Sequence, residues 1–465
     1  MTTLTTAFAA RVMREHGYEV TEGPDTPITG GAADSRNVAP GDLFTAFPGE
    51  NTDGNLYVAA ALRNGAVAAI CGRRPEGEWP GQTVIVAPDP TRAVGQLAHA
   101  WRRHCGARVV GITGTVGKTT AKEMTAAVLS RHFRTHRSTG NFNSREGLPL
   151  ALLSLTQEHE VSVLEMGMDS KGEIALLCDI AEPEVGVVLN IGLTHVEKLG
   201  SIEAIAEEKL SLARWLPESG TAVLNVDDPR IAAGAEGLAC RTITFGRGLE
   251  AAAPRPFLTW SDYHGEGLSG GRFFVTSGAK QARVDTPLPG EHTVPAAVAA
   301  MAVAMALGVS FFDAANSVRQ SEAAGRAREL RGRNGSTLID DRYNASPASV
   351  AGALAMLGAQ RASGGRTIAF LGKMAELGDH AEAEHRRIGE VAAANCTALV
   401  TFGELGRIVA DSARSAGLSG TRWFATKEEG AAFLAGQLRE GDTVLVKGSR
   451  SEALETILPE LEAAP

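Results

Sequence analysis

The chain has 465 residues, too long for one hydrophobic core, and ~150 residues per domain predicts about three units. Hydrophobic residues at 44% and charged residues at 21% describe an ordinary globular protein, and the net charge of −9 excludes nonspecific nucleic-acid binding as the main role. Cys71, Cys105, Cys178, Cys240 and Cys396 form no CxxC pair and no zinc spacing, which fits a reduced cytoplasm. The opening MTTLTTAFAARVMREHGYEV carries polar and charged residues throughout with no uninterrupted apolar core, and no apolar run reaches about 18 residues, so neither a signal peptide nor a membrane span is expected.

Residues 1–106 read as a small α/β unit, with turn signals at Thr29-Gly30-Gly31 and Pro40-Gly41 and a closing helix through Val94–His104. From Val109 onward strand and helix patterns alternate, with strands at Val161–Met166, Val185–Asn190 and Thr221–Asn225 and a helix at Ile202–Leu212. That alternation predicts a doubly wound parallel sheet over 107–312. Residues Ala251–Pro287 lose the rhythm and suggest an antiparallel insert, followed by a helix at Ala296–Leu307. A second Rossmann-like unit is predicted for 313–465, with strands Thr337–Asp340, Thr367–Leu371, Ala398–Phe402 and Thr443–Val446, and with a hinge near Gly308–Asp313. There is no internal repeat and no low-complexity tail.

The most informative stretch is VVGITGTVGKTTAKEM, Val109–Met124, where a β-branched run, a glycine-rich turn and a helix start follow one another. Backbone N–H groups of such a loop converge on phosphate at a helix N-terminus, Lys118 reaches the terminal phosphates and Thr119 offers a hydroxyl to Mg²⁺. ATP is the expected guest, held by Gly114, Thr115, Gly117, Lys118, Thr119 and Thr120. The loop departs from the general G-x-x-x-x-G-K-[ST] pattern, because Ile112 stands where its first glycine belongs and Gly114 takes over. A compact TGT-x-GKTT loop is narrower than that general motif.

With this loop go ADSRNVAPGDLFTAFPGENTDG, TGNFNSREGLP, VLEMGM, NIGLTHVEKLGS, NVDD, PLPGEH, AAGR, IDDRYNASPAS, GKMAELGDHAEAEH and VLVKGSRS, spread over essentially the whole chain. Together they resemble the Mur ligase family of ATP-dependent amide ligases. The resemblance implies three α/β domains: an acid-substrate domain over 1–106, a central P-loop ATPase domain over 107–312 and a C-terminal Rossmann-like domain over 313–465. It also implies a monomer that phosphorylates a carboxylate with ATP and lets an amine displace the phosphate, so that the protein's task is charge neutralisation and alignment. The acid implied is a UDP-muramyl-tripeptide and the amine a D-alanyl-D-alanine dipeptide, as in peptidoglycan precursor synthesis.

Carried over residue by residue, the resemblance implies catalytic roles for Lys118, Glu165, His195, Lys209 and Arg326, and metal contacts from Thr119, Glu165, His195 and Lys209, the last as a CO₂ carbamate. Alone, a lysine following Glu207-Glu208 on a helix reads as a solvated surface residue, His195 as a structural histidine and Arg326 as one of several exposed arginines. Asp341, Tyr343 and Asn344 resemble the ribose and adenine side of the ATP site. Asp34, Ser35 and Arg36 resemble the contact to uridine diphosphate, Asn141 and Asn143 a loop between ATP and the acceptor carboxylate, and Lys447, Ser449 and Arg450 a strand-end motif near the amine.

The sequence departs from the family after PLPGEH, where Thr293-Val294-Pro295-Ala296 carries neither of the usual asparagines, so adenine recognition must differ. Arg342, Ser346, Lys373, Asn55 and Ser211 also stand where other residues are usual. Arg342 and Lys373 add cations beside the cleft, which leaves two readings: paired neighbours, or a ligase of a specialised pathway joining another acid to a more anionic amine. A noncatalytic nucleotide-binding relative is a third reading, opposed by the intact Lys118, Thr119, Glu165, His195, Lys209 and Arg326.

Overall fold

The computed structural model describes residues 3–49, 52–140, 142–248, 256–321, 327–360 and 364–463. Three separate sheets organise them, of five, nine and six strands. The N-terminal sheet runs, in spatial order, Glu19–Thr21, Thr83–Val86, Ala68–Cys71, Asp42–Thr45 and Gly30–Ala32, parallel apart from its antiparallel first strand. Thr29-Gly30-Gly31 therefore opens an edge strand rather than a turn. The glycine is needed for packing: a Cβ on Gly31 would sit 2.7 Å from Leu150 Cδ2, so the strand can lie against helix Gly147–Leu152 only without a side chain.

In the central sheet the order is Lys280–Thr286, Gly271–Ser277, Leu258–Gly265, Arg241–Gly246, Thr221–Asn225, Val185–Val188, Arg108–Thr113, Val161–Glu165 and Thr135–Arg137. All neighbours are parallel except at the insert, where Leu258–Gly265, Gly271–Ser277 and Lys280–Thr286 form the expected antiparallel ribbon. Residues 251–255 of that expectation lie outside the described residues. Strand Arg108–Thr113 is flanked by Val161–Glu165 on one side and Val185–Val188 on the other. The chain thus reverses direction across the sheet there, and the crevice at the strands' carboxyl ends is where an open α/β sheet binds its ligand.

The C-terminal sheet orders Arg328–Arg331, Thr337–Asp340, Thr443–Lys447, Thr367–Leu371, Ala398–Phe402 and Thr421–Phe424, antiparallel only at its first pair. Helix Phe311–Arg319, expected to open this unit, packs instead on the central one. Its Phe311, Ala314, Ala315 and Val318 join the apolar cluster beneath helix Val294–Ala306, and Ser317 meets His132 at 2.8 Å. A hinge at Gly308–Asp313 is therefore displaced by packed structure, and the chain crosses to the C-terminal sheet after Ser321.

The first helix expectation also shifts. Helix Pro90–Cys105 starts four residues before Val94, because the Asp89 side chain caps Arg92 N and Pro90 occupies the first turn, where its missing N–H costs nothing. On this helix Trp101 is 1% exposed, donates Nε1–H to Leu155 O at 2.8 Å and meets Phe8 edge-on. One apolar cluster runs from Leu4, Met13 and Leu43 through Trp101 to Leu148, Leu177 and Leu224, so the N-terminal and central sheets share a core. The C-terminal sheet keeps its own clusters on its two faces. No helix among the described residues is long and apolar enough to cross a membrane. Trp101→Ala should then cost about 3–5 kcal/mol in the shared unit, lowering the midpoint of its urea transition while leaving that of the C-terminal sheet in place.

Candidate active site

The phosphate loop leaves strand Arg108–Thr113 and enters helix Lys118–Leu129 through Gly117, whose φ of +80° suits glycine. Its shape is held from the next strand. Asn190 accepts from Val116 N at 2.9 Å and donates to Val116 O at 3.0 Å, while Thr115 Oγ1 accepts from Gly192 N at 2.9 Å. Lys118 Nζ folds back on Gly114 O at 2.9 Å. Asn190 was not foreseen as a site residue, although its place just past a strand end in NIG pointed to the carboxyl edge.

Glu165, at the end of its strand, is 1% exposed. Oε2 accepts from Thr119 Oγ1 at 2.7 Å and Oε1 from Asn143 Nδ2 at 2.7 Å. One buried carboxylate thus joins the phosphate-loop helix to the TGNFNS loop. Lys122, fully buried, secures the start of that loop by donating to Ser138 O at 2.7 Å and Gly140 O at 3.1 Å. Asn141 lies outside the described residues.

Lys209 is 1% exposed and lines the same cleft. No carboxylate is paired with it among the described residues; its neighbour Glu208 accepts from Gly172 N and Ile174 N, both at 2.8 Å, capping helix Glu173–Ala181. Burial, with Lys118 adding like charge, pushes the Lys209 ammonium well below its ordinary pKa. His195 sits at φ +52° with Nδ1 3.0 Å from Asp169 Oδ1 and 2.7 Å from Glu376 Oε2. Contact with that ring holds the Glu376 carboxyl below its ordinary value. Asp169 and Glu376 were missed by sequence reasoning, although Glu376 lies in the singled-out MAELG block.

From the opposite side the C-terminal sheet delivers its own carboxyl edge. Asp340 pairs with Val446 across adjacent parallel strands, so Asp341 and Lys447 emerge together. Lys447, 2% exposed, donates to Asp341 Oδ2 at 2.6 Å and Asn344 O at 3.0 Å, fixing the loop that presents Asp341, Tyr343 and Asn344. Ser449 is also spoken for: its Oγ accepts from Ala375 N at 2.8 Å. Arg450 points to the surface and pairs with Glu455.

A cleft of about 600 Å³ gathers Thr115, Gly117, Lys118, Thr119, Thr120, Asn143, Glu165, His195, Lys209, Asp341, Tyr343, Asn344 and Lys447. Asp34, Ser35 and Arg36 are not among its walls. Arg36 grips Asp34 with Nε and Nη2, and that bond lowers the Asp34 carboxyl to about 2. A second cavity of about 830 Å³ lies between helix Pro90–Cys105 and helix Glu173–Ala181, and Arg145 lines both cavities. Arg326 lies outside the described residues. Among those residues, no three His, Cys, Asp or Glu side chains converge to cage a metal unaided.

Four of the departures have local partners. Arg342 pairs with Asp340 at 3.1 Å and Lys373 with Glu452 at 3.2 Å, so neither is a surplus cation. Asn55 accepts from Gly72 N at 2.7 Å and donates to Asp53. Ser346 caps helix Pro347–Ala359.

Family models place this geometry. A Mur ligase family catalytic domain matches residues 27–102, the Mur ligase middle domain 112–304 and the Mur ligase glutamate ligase domain 325–450. The chain belongs to the Mur ligase family. It is 34% identical over 446 residues to the UDP-N-acetylmuramoyl-tripeptide--D-alanyl-D-alanine ligase of Bacillus subtilis, spanning 95% of this chain and 94% of that one. The Escherichia coli ligase of the same name is 32% identical, with 95% of each chain covered. A crystal structure of MurF from Acinetobacter baumannii superposes with a TM-score of 0.83 at 30% identity, covering 97% and 98% of the two chains. MurF from Thermotoga maritima in complex with ADP gives 0.76 at 27% identity, covering 93% and 97%. The expected Mur ligase architecture is thus borne out.

The Lys447–Asp341 pair makes a specific demand. Removing one partner leaves a buried charge, so Lys447→Met should cost about 3–5 kcal/mol in the C-terminal transition and raise the KM for ATP about tenfold, ~1.4 kcal/mol. Adding Asp341→Leu should recover most of the stability and none of the KM, measured as a double-mutant cycle.

Proposed function

We propose that this chain is an ATP-dependent, ADP-producing carbon–nitrogen ligase that adds D-alanyl-D-alanine to UDP-N-acetylmuramoyl-tripeptide in peptidoglycan precursor synthesis. One observation carries the reading: a phosphate loop from one sheet and the Asp341–Asn344 loop from another open on a single cleft around Thr119, Glu165 and Lys209. The names of the relatives supply the substrates. Specialised-pathway ligation is not favoured, since the two cations that suggested it are neutralised by the chain's own carboxylates.

The nucleotide's phosphates lie on the amides of Gly114–Thr120, with Lys118 swinging from Gly114 O to the β/γ-phosphates, and its base and ribose meet Asp341, Tyr343 and Asn344. The acid enters from the N-terminal unit, over Asp34, Ser35 and Arg36, and passes Arg145 to Asn141 and Asn143. Its carboxylate oxygen attacks the γ-phosphorus and ADP leaves; the amine nitrogen then attacks the acyl carbon, inorganic phosphate leaves and the nitrogen loses a proton. Lys447 shapes the amine end through the Asp341–Asn344 loop, with Ser449 and Arg450 at its outer rim. Arg326 enters when the C-terminal unit closes, where its planar fork spreads charge over phosphate oxygens.

A hard cation fits the donors present: the Thr119 hydroxyl, the Glu165 carboxylate, the second nitrogen of His195 and, once carbamylated, Lys209. Mg²⁺ bound there would neutralise phosphate charge, with water and nucleotide completing its shell. Burial beside Lys118 disfavours the Lys209 ammonium, which suits attack of the amine on CO₂ with release of one proton, and the carbamate anion would balance the Lys118 ammonium. The assignment 1–106, 107–312 and 313–465 is kept in outline, with helix Phe311–Arg319 transferred to the central unit.

With UDP-muramyl-tripeptide, D-alanyl-D-alanine, ATP and Mg²⁺, the purified protein should release one ADP and one phosphate per amide formed, detected by coupled assay and mass spectrometry. AMP as the main product would refute the acyl-phosphate route. Lys209→Ala should lose about 100-fold or more in kcat and regain part of it with added formate or acetate. No rescue, together with unchanged activity after CO₂ removal, would return Lys209 to a structural role.

A further inference from the structure

Around His195 the central and C-terminal units touch through two short segments. On one side is Ile191–Gly200, with Leu193 packed against the cores of both units. On the other is the MAELG stretch. Contacts come in register: His195 Nδ1 lies 2.7 Å from Glu376 Oε2, and Gly378 N donates to Glu197 Oε1 at 3.2 Å. Asp169, on the central side, approaches the same ring nitrogen at 3.0 Å and is itself paired with Lys198.

Both facing residues adopt left-handed backbone without being glycine, His195 at φ +52° and Glu376 at φ +63°. Each such conformation costs free energy and persists where surrounding structure over-determines it. Here the two strained residues meet each other. The imidazole is one-quarter exposed and lines the cleft, while Glu376 approaches from the other unit.

A histidine that ligates a metal donates its other ring N–H to a carboxylate or carbonyl, which fixes the tautomer and the ring plane. Two carboxylates lie within 3.0 Å of Nδ1 in ion-pair contact without hydrogen-bond angles, and their charge favours the proton on that nitrogen, leaving Nε2 as the lone-pair nitrogen. Asp169 belongs to the unit that carries His195, and Glu376 does not.

We propose that Glu376 is a positioning residue that completes the His195 site only when the C-terminal unit is docked, so that domain closure and Mg²⁺ affinity are coupled through one carboxylate–imidazole contact. This rests on the reading of His195 as a metal contact. Closing the unit brings Glu376 to Nδ1, restricts the ring and orients Nε2; opening leaves the ring to Asp169 alone, and Asp169 is shared with Lys198. By reciprocity, cation binding at Nε2 favours the docked arrangement.

The test uses the full-length protein with ADP, with Mg²⁺-dependent ADP binding followed by calorimetry and closure by small-angle scattering. Glu376→Gly removes the carboxylate while relieving the backbone, so loop misfolding cannot account for its effect. It should raise the Mg²⁺ concentration for half-maximal enhancement of ADP binding about 10- to 100-fold, leave Mg²⁺-free ADP affinity unchanged and shift the Mg²⁺–ADP scattering profile toward the open form. Glu376→Gln retains an oxygen acceptor for Nδ1–H and should recover part of the loss. Unchanged Mg²⁺ dependence in Glu376→Gly, while His195→Ala shifts it, would overturn the coupling and leave the His195 reading standing. Unchanged Mg²⁺ dependence in His195→Ala would overturn the metal role of His195 itself.

Discussion

A carboxylate can be buried at the end of a parallel strand only if both its oxygens are satisfied, and the way Glu165 meets that condition sets the geometry around it. Thr119 occupies one oxygen and Asn143 the other. The first belongs to helix Lys118–Leu129, the second to the TGNFNS loop. Burial of one carboxyl group therefore fixes the spacing between that helix and that loop. Asn190 does the same for the back of the phosphate loop by clasping both polar groups of Val116.

Parallel-strand periodicity was the legible part of the chain. Thr221–Asn225, Thr337–Asp340, Thr367–Leu371 and Ala398–Phe402 coincide with their expected limits, since runs of β-branched and apolar residues buried on both faces carry a strong local signal. Three features were not legible. Gly30-Gly31 looks like a turn because the reason for its glycines, the approach of Leu150, lies more than a hundred residues away. Asp89-Pro90 opens a helix ahead of its apolar stripe, by capping rather than by pattern. Helix Phe311–Arg319 follows a Gly-containing break that reads as a boundary, yet its apolar face was committed to the central core.

Site chemistry shows the same division. Residue types at strand ends were readable, because a carboxyl edge presents its next residue to the crevice. Pairing was not. Lys447 and Asp341, both assigned to ligands, are bound first to each other, and Ser449 is held by Ala375 N. Arg342 and Lys373, suspected of reading an anionic substrate, are balanced by Asp340 and Glu452. Lys209 is the reverse case: next to two glutamates in sequence, it is paired with neither, because Glu207 reaches Arg214 and Glu208 turns to the helix at Gly172. A one-dimensional charge pattern cannot distinguish a neighbour from a partner.

These differences in coupling decide which parts of the molecule can move. Between the N-terminal and central sheets lies a continuous apolar core with Trp101 buried in its middle, and separating them would expose it to water. The C-terminal sheet completes its own core on both faces and, among the described residues, meets the central unit through polar contacts and a few apolar side chains such as Leu193 and Leu268. Separating such a seam exposes far less apolar surface than opening the core around Trp101. The seam between the N-terminal and central units is the costly one to open, and the seam that brings the Asp341–Asn344 loop to the cleft is the cheap one. Any relative movement of the units therefore falls to the C-terminal one, while the N-terminal sheet and the phosphate loop keep a fixed relation.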